Sequence, residues 1–153
     1  MKDIIIIGSG PAGLSAAVYG RRAGLDILVI EKEYCGTGQI AESGQVDNYL
    51  GIPGIEGYSL GEKFREHAEN LGTAFLEEEV TKLEQSDGYW KVLLAGGDVL
   101  ETKTVIYAAG ASHRHLNVPG EDKLSGRGVS YCATCDGAFF QGKTTAVIGG
   151  GDT

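Results

Sequence analysis

The stretch Ile4-Ile5-Ile6-Ile7-Gly8-Ser9-Gly10-Pro11-Ala12-Gly13 decides how this chain is read. Four β-branched residues in a row make an uninterrupted apolar strand, the kind that a parallel sheet covered on both faces requires. Glycines follow at once in GxGxxG spacing. Gly8 permits a tight turn, Gly10 lets the backbone approach a pyrophosphate, and Gly13 lets a helix pack closely on the strand. Free amides at the start of that helix, and the positive end of its dipole, attract phosphates. The helix continues through PAGLSAAVYGRRA at residues 11–23, with Arg21 and Arg22 in its last turn and Gly24 beyond them for a left-handed stop. Residues 27–30 form the next strand with Glu31 at its end, closing a β-α-β unit. Glu31 stands 18 residues past Gly13, placed to accept hydrogen bonds from an adenosine ribose. Its charge would repel a 2'-phosphate, which disfavours NADP at this first site. A glycine-rich turn without a ligand is the competing reading, and the agreement of strand, glycines, helix and acid stands against it.

Composition narrows the class. The chain has 153 residues, 42% of them hydrophobic, with 21 acids against 13 bases for a formal charge of -8. A chain of this size buries roughly 68–70% of its extended surface, enough for one domain with a real core and too little for two full ones. Its 25 glycines show no period of three and cluster between apolar runs, which excludes collagen and low-complexity disorder. The acidic balance excludes a nucleic-acid backbone binder, which needs concentrated Lys and Arg. The longest apolar stretches fall far short of the roughly 20 residues that span a bilayer, so no membrane role is expected. Met1 leads straight into the strand with no positive segment and no cleavage site, and the chain reads as cytoplasmic. Its three cysteines are then expected to be catalytic or metal-binding rather than a disulfide scaffold.

Beyond the β-α-β unit, residues 34–57 are rich in glycine and show no period, as in a binding or active-site loop or a solvent-mobile linker. Leu60, Phe64, Ala68 and Leu71 mark one face of an amphipathic helix, with Glu62, Lys63, Glu66 and Glu69 off that face and His67 beside its polar side. Three strands follow, at residues 74–84, 89–94 and 99–108, joined by tight hairpins at Asp87-Gly88 and Gly96-Gly97. The acidic run Glu77-Glu78-Glu79 reads as solvated strand surface and Trp90 as a packing residue. The last strand runs into Ala108-Ala109-Gly110 and is expected to rejoin the main sheet. Past Pro119 a new segment carries Cys132-Ala133-Thr134-Cys135, then a predicted strand at residues 144–148 ending in Gly149-Gly150-Gly151-Asp152-Thr153. This repeats the strand-then-glycine grammar of the N-terminus without the helix that should follow. The chain therefore reads as stopping inside a second nucleotide-binding motif, as part of a longer protein.

Cys132 and Cys135 share the CxxC spacing that lets two thiols close into a small disulfide ring, accept two electrons and exchange with a partner disulfide. Zinc held by this pair with His113 and His115 is the structural alternative, weakened by the awkward HxH spacing and the lack of a second cysteine pair. Cys35 is solitary. Asp136, directly after the pair, is read either as a proton shuttle to a departing thiolate or as an ordinary acid in a turn.

Taken together, GSGPAGLSAAVYGRRAG from Gly8, GTGQI from Gly36, DNYLGIPG from Asp47, AAGASHRHLNVPGE from Ala108, GRGVSYCATCDGAFF from Gly126 and AVIGGGDT from Ala146 resemble the N-terminal half of low-molecular-weight bacterial thioredoxin reductases. CATCDG ahead of a second glycine motif is far more specific than either element alone. The resemblance implies an α/β chain with a Rossmann-like FAD-binding three-layer β-β-α fold, incomplete, and a small three-stranded antiparallel β crossover. Residues 1–115 would be the N-terminal part of an FAD-binding domain, and residues 116–153 a junction and the truncated start of an NADPH-binding domain. Gly8, Gly10, Pro11, Ala12 and Gly13 would meet the FAD pyrophosphate and Glu31 the ribose. Gly38, Gln39 and Ile40 would border the cofactor, Asn48 would approach its flavin end, Val80 would meet the adenine through its backbone, and Ala109-Gly110 would close over it. Gly149, Gly150 and Gly151 would open the NADPH site.

The implied activity is thioredoxin-disulfide reduction, with electrons passing from NADPH through FAD to the cysteine pair and on to thioredoxin or a similar redox protein. Cys135 would be the thiol nearer the flavin, Cys132 the one that attacks thioredoxin, and Asp136 the acid. A homodimer is expected of the intact protein. Two departures stand out: Ala108-Ala109-Gly110 where the family often has Ala-Thr-Gly, and Leu50 where proline is common. They leave open a related flavin disulfide reductase fed by ferredoxin or another donor. In the family the FAD domain is discontinuous, so the chain alone is expected to be inactive, and a non-catalytic nucleotide-binding fragment is the reading from another class.

Overall fold

The four isoleucines lie in strand β1 (Lys2–Ile7) of a computed structural model that describes residues 1–33 and 37–150, residues 134 and 135 by backbone alone. Cys35 lies outside the described residues, as does Gly151. Two compact units divide the chain, one spanning Met1–Gly110 and the other beginning at Ala111.

In the first unit β1 passes through Gly8, at φ +101°, into helix α1 (Pro11–Arg22), which stops at Gly24 with φ +77°. Arg21 in its last turn donates from Nε to the Leu71 carbonyl at 3.1 Å and from Nη1 to the Leu25 carbonyl at 2.9 Å, so the basic end of the helix satisfies carbonyls of two neighbouring segments. Strand β2 (Ile27–Glu31) lies parallel to β1, with Ile4 opposite Ile27 and Ile7 opposite Ile30. The Gly-rich segment that follows is less irregular than its sequence suggests. It holds a 3-10 turn at Gly38–Glu42 and two short paired strands, β3 (Gln45–Val46) and β4 (Ile55–Glu56). Helix α2 (Gly57–Asn70) then buries Leu60 and Ala68 fully, two of the four residues expected on its apolar face.

The single strand expected at residues 74–84 is two strands. Strand β5 (Ala74–Glu77) pairs parallel with β2, and β6 (Val80–Ser86) leaves that edge to pair antiparallel with β7 (Tyr89–Leu94). The break falls in the acidic run. There the Glu78 N–H donates to the Glu31 carbonyl at 2.9 Å, whereas the Glu79 carbonyl accepts from Ala95 at 2.8 Å, so adjacent residues serve different neighbours. Strand β8 (Val99–Tyr107) completes the sheet, in the order β5-β2-β1-β8-β7-β6. Its first part pairs antiparallel with β7 and its remainder parallel with β1; the two registers meet at Thr102, opposite both Trp90 and Lys2. Thr102 is fully buried there, its hydroxyl donating to the Thr104 carbonyl at 3.0 Å.

Alternation along β1 divides the core between two faces. Ile5 and Ile7 pack with Leu28, Ile30, Val92 and Leu94, under the antiparallel strands, while Ile6 packs with Leu14, Ala17, Val29 and Ala68, under the helices. The result is the three-layer β-β-α arrangement, in which the antiparallel crossover covers one face of the parallel strands.

The second unit holds α3 (Glu121–Leu124), α4 (Ala133–Asp136) and a 3-10 turn at Gly137–Phe140. The strand expected at residues 144–148 does not form: these residues have no regular structure, and Val147 and Ile148 are 87% and 69% exposed. An apolar parallel strand is stable only with neighbours to take its hydrogen bonds, and among the described residues of this unit the one β-bridge joins Ser125 and Val129. No helix of the described residues is long and apolar enough to cross a membrane.

The glycines of the first turn differ in what they leave room for. A Cβ on Gly13 would lie 2.0 Å from the Gly8 carbonyl oxygen, but on Gly10 it would find nothing nearer than the Gly38 Cα at 3.7 Å. Gly13→Ala is therefore expected to destabilise the first unit by about 1–3 kcal/mol through overpacking, and Gly10→Ala to stay within about 1 kcal/mol. Urea denaturation followed by far-UV circular dichroism separates the two; equal losses would contradict this packing.

Candidate functional site

Two groups of predicted residues are brought together, one in each unit. In the first, the turn after β1 is built by crowding. Gly8 takes a left-handed conformation, and a Cβ on it would meet the Ala108 carbonyl oxygen at 2.3 Å. The Ala108 N–H donates in turn to the Ile7 carbonyl at 2.8 Å, so the end of β8 is stitched directly beside the turn, and Ala109-Gly110 leave the sheet from that point. Gly38 presses on the other side, where its own Cβ would lie 3.1 Å from the Gly10 Cα. Predicted residues from three places in the sequence, Gly8 with Gly10, Gly38, and Ala109, thus meet around one turn.

Gly10 itself has φ -68°, a conformation open to any residue, and no protein atom crowds the side where a Cβ would stand. Neither its conformation nor its packing calls for glycine. That is the observation that fits a ligand backbone, such as a pyrophosphate, lying against this residue. Pro11 at the first helical position has no N–H to satisfy, and the amides of Ala12 and Gly13 have no intrahelical acceptor, a set of donors of the kind that attracts anions. Nearby Thr37 is 3% exposed, and its hydroxyl finds no partner among the described residues.

Glu31 is committed to the turn. Its Oε2 accepts from the Ser9 N–H at 2.8 Å and the Ser9 hydroxyl at 2.9 Å, and its Oε1 accepts from the Lys32 N–H at 2.7 Å. Ser9, fully buried, is the partner that sequence reasoning missed; its signal was its place as the first variable residue of the glycine motif. Val80 begins β6, two residues past the Glu78 amide that pairs with the Glu31 carbonyl. Ile40 and Pro11 line a groove of about 630 Å³ with Leu14, Val18, Tyr49 and Phe64. Asn48 is exposed, between β3 and β4.

In the second unit Cys132 is disulfide-bonded. The side chain of Cys135 lies outside what is described. The Cys132 N–H donates to the Ser130 hydroxyl at 3.1 Å, that hydroxyl donates to Asp136 Oδ2 at 2.6 Å, and the Asp136 N–H donates back to the Cys132 carbonyl at 3.0 Å. Upstream, Tyr131 donates to Glu121 Oε1 at 2.6 Å, stacks on His113 at 5.0 Å between ring centres and lies against His115, whose Nδ1 is 3.2 Å from the phenol oxygen. The two histidines are thus turned to Tyr131, and the described residues hold no cluster of three or more His, Cys, Asp or Glu suited to a metal. Gly149 and Gly150 are exposed in irregular chain, apart from any helix.

Glu121 is 4% exposed and also accepts from the Leu116 N–H at 2.9 Å. The Tyr131 hydroxyl first, and the Leu116 amide next, hold its carboxyl down at about 2. The same bond, with burial adding to it, pushes the Tyr131 phenol up to about 12. A carboxyl depressed on folding contributes stability above its ordinary range near about 4.3 and loses it as pH falls through about 2; a raised phenol contributes below about 10 and loses it as pH rises through about 12. The second unit is therefore expected to keep this contact from about pH 5 to 9 and lose it at both extremes. Carboxyl carbon NMR checks the assignment, with Tyr131→Phe expected to move the Glu121 midpoint up towards the ordinary range; an unmoved midpoint would contradict it.

The family model for pyridine nucleotide-disulphide oxidoreductases matches residues 2–153. The thioredoxin reductase of Bacillus subtilis is 48% identical over 151 residues, 99% of this chain and 47% of that protein. The crystal structure of thioredoxin reductase from Streptococcus pyogenes is similar with a TM-score of 0.79 at 44% identity, over 92% of this chain and 45% of that one. A ferredoxin-flavin thioredoxin reductase from Clostridium acetobutylicum gives a TM-score of 0.66 at 37% identity, over 91% and 48%. The chain spans about half the length of each of these relatives. Over nearly its whole length, the glycine turn after β1 and the CxxC segment included, the chain belongs to the pyridine nucleotide-disulphide oxidoreductase family.

Proposed function

We propose that a protein carrying this chain, together with the remaining length its relatives have, is a thioredoxin-disulfide reductase. It passes electrons from NADPH through FAD to Cys132 and Cys135, and from them to the disulfide of thioredoxin or a similar redox protein. The observation that carries the reading is Gly10, a glycine that the fold itself does not require, in a chain 48% identical to a thioredoxin reductase. FAD, when bound, supplies the two-electron carrier between nicotinamide and disulfide.

The chain's own residues then have these roles. Gly10, Pro11, Ala12 and Gly13 hold the pyrophosphate, with Gly8 shaping the turn. Glu31 offers the ribose the acceptor capacity that Ser9 and Lys32 leave. Gly38, Gln39, Ile40, Ala109 and Gly110 border the cofactor, Asn48 its flavin end and Val80 its adenine. Gly149, Gly150 and Gly151 open the nicotinamide nucleotide site. Cys132 attacks the partner disulfide, Cys135 resolves the mixed disulfide, and Asp136 hands on a proton. The same reading makes the protein cytoplasmic, where such partners are kept reduced, and a homodimer. A donor other than NADPH is the second reading, favoured by the likeness to the ferredoxin-flavin enzyme. Anaerobic reduction with NADPH against reduced ferredoxin decides between the two.

Calorimetry with FAD and ADP, on this chain and on the longer protein, tests the cradle. Gly10→Val is expected to weaken binding by about tenfold or more, equivalent to about 1.4 kcal/mol, and unchanged affinity would contradict the placement. The thiol roles are tested in the longer protein. Cys135→Ser is expected to accumulate a covalent adduct with thioredoxin at Cys132, and Cys132→Ser to form none. Mass spectrometry locates the bond, and an adduct at Cys135 with Cys132 dispensable would overturn the assignment.

A further inference from the structure

We propose that Ser130 is a positioning residue for Asp136, holding its carboxylate over the turn that presents Cys132. The proposal rests on the reading of Cys132 and Cys135 as the redox pair and Asp136 as its acid, and deepens it.

Three hydrogen bonds carry the inference. The Cys132 N–H donates to the Ser130 hydroxyl at 3.1 Å, and the Ser130 hydroxyl donates to Asp136 Oδ2 at 2.6 Å. The Asp136 N–H donates to the Cys132 carbonyl at 3.0 Å. The Cys132 carbonyl also lies 3.2 Å from the Ser130 oxygen, but a hydroxyl has one proton, and the shorter contact to a charged acceptor is the stronger. The three groups close a ring across the single turn of α4, with Ser130 tied at once to the backbone of Cys132 and to the side chain of Asp136. Ser130 is exposed and Asp136 half-buried. Among the described residues no other hydrogen bond holds the carboxylate, so without the hydroxyl water would compete for it.

The orientation matters because the exchange moves protons as well as electrons. The Cys132 thiolate attacks one sulfur of the partner disulfide, forming a mixed disulfide and a partner thiolate. The Cys135 thiolate then attacks the Cys132 sulfur, forming the Cys132–Cys135 disulfide and freeing the second partner thiolate. Two electrons leave the enzyme dithiol and enter the partner disulfide, and the two protons given up by the enzyme thiols end on the two partner sulfurs. An acid fixed beside the turn of Cys132 can carry such a proton across; one turned to solvent cannot.

The test uses the longer protein with its electron donor and a thioredoxin disulfide. Four variants are compared for kcat and KM: Ser130→Ala, Ser130→Thr, Asp136→Asn and the double variant Ser130→Ala/Asp136→Asn. FAD content and the rate at which the donor reduces the flavin serve as folding controls. Asp136→Asn is expected to lower kcat by about 100-fold and Ser130→Ala by about tenfold, with KM unchanged. Ser130→Thr, which keeps the hydroxyl, restores the rate, and Ser130→Ala has less than about a twofold effect once Asp136 is gone. Full activity in Ser130→Ala overturns the proposal while leaving the acid in place. An equal loss from Ser130→Ala in both backgrounds, unrestored by threonine, marks a role in the turn alone and also overturns it. An unaffected Asp136→Asn removes the reading of Asp136 as acid, and the proposal with it.

Discussion

The whole N-terminal arrangement depends on the space denied to any side chain between Gly8 and Gly13. The carbonyl of Gly8 occupies the place where a Cβ of Gly13 would stand, and the carbonyl of Ala108 occupies that of Gly8. These contacts bring three segments, β1, α1 and the end of β8, to one point. They also make β1 a central strand, since it must accept β2 on one edge and β8 on the other while α1 crosses its face. With β1 held so, Ile5 and Ile7 meet one layer and Ile6 the other, and the residues that deny each other space at the turn are the ones that align the core below it.

From that point outward the charges become local fasteners. Glu31 at the end of β2 closes the turn by taking both donors of Ser9, at 2.8 and 2.9 Å. A carboxylate accepting a backbone amide and a buried hydroxyl is a charge-assisted arrangement, and it fixes the height at which β2 ends beside the amides of α1. The next residues along the same edge, from Glu77 to Val80, then redirect the chain from the parallel strands to the antiparallel layer. The acid at the end of β2 and the acidic run thus belong to one structural problem, ending a parallel edge beside the glycine turn without leaving its carbonyls unpaired.

What the sequence made legible was whatever repeats at short range. The run from Ile4 to Gly13, the helix through Arg22 and the strand ending at Glu31 each carry their own signal, in apolar runs, glycines and basic last-turn residues. The break between β5 and β6 carries none, because Glu77-Glu78-Glu79 has the same alternation whether the strand continues or changes partner; only the distant partners Glu31 and Ala95 decide it. Residues 144–148 failed in the opposite sense. Their apolar run is a strand signal, but a strand is a relation between segments, and no described neighbour offers its edge. Ser9, Ser130 and Tyr131 went unread for a related reason. A small or aromatic residue next to a motif looks like filler until its hydrogen-bond partner, six or ten residues away for Ser130 and Tyr131, is known.

The two units differ in what organises them. The first has apolar layers on both faces of its sheet. Among the described residues of the second, only Glu121 is buried, and it is charged. Its surroundings are ordered by donors converging on one carboxylate, from Tyr131, Leu116 and Val118. A network of that kind is directional where an apolar core is not. It fixes where Tyr131 points, and through the adjoining backbone where the turn of Cys132 starts. Hydrogen bonds to Glu121 on one side and from Ser130 to Asp136 on the other hold the turn from both of its ends.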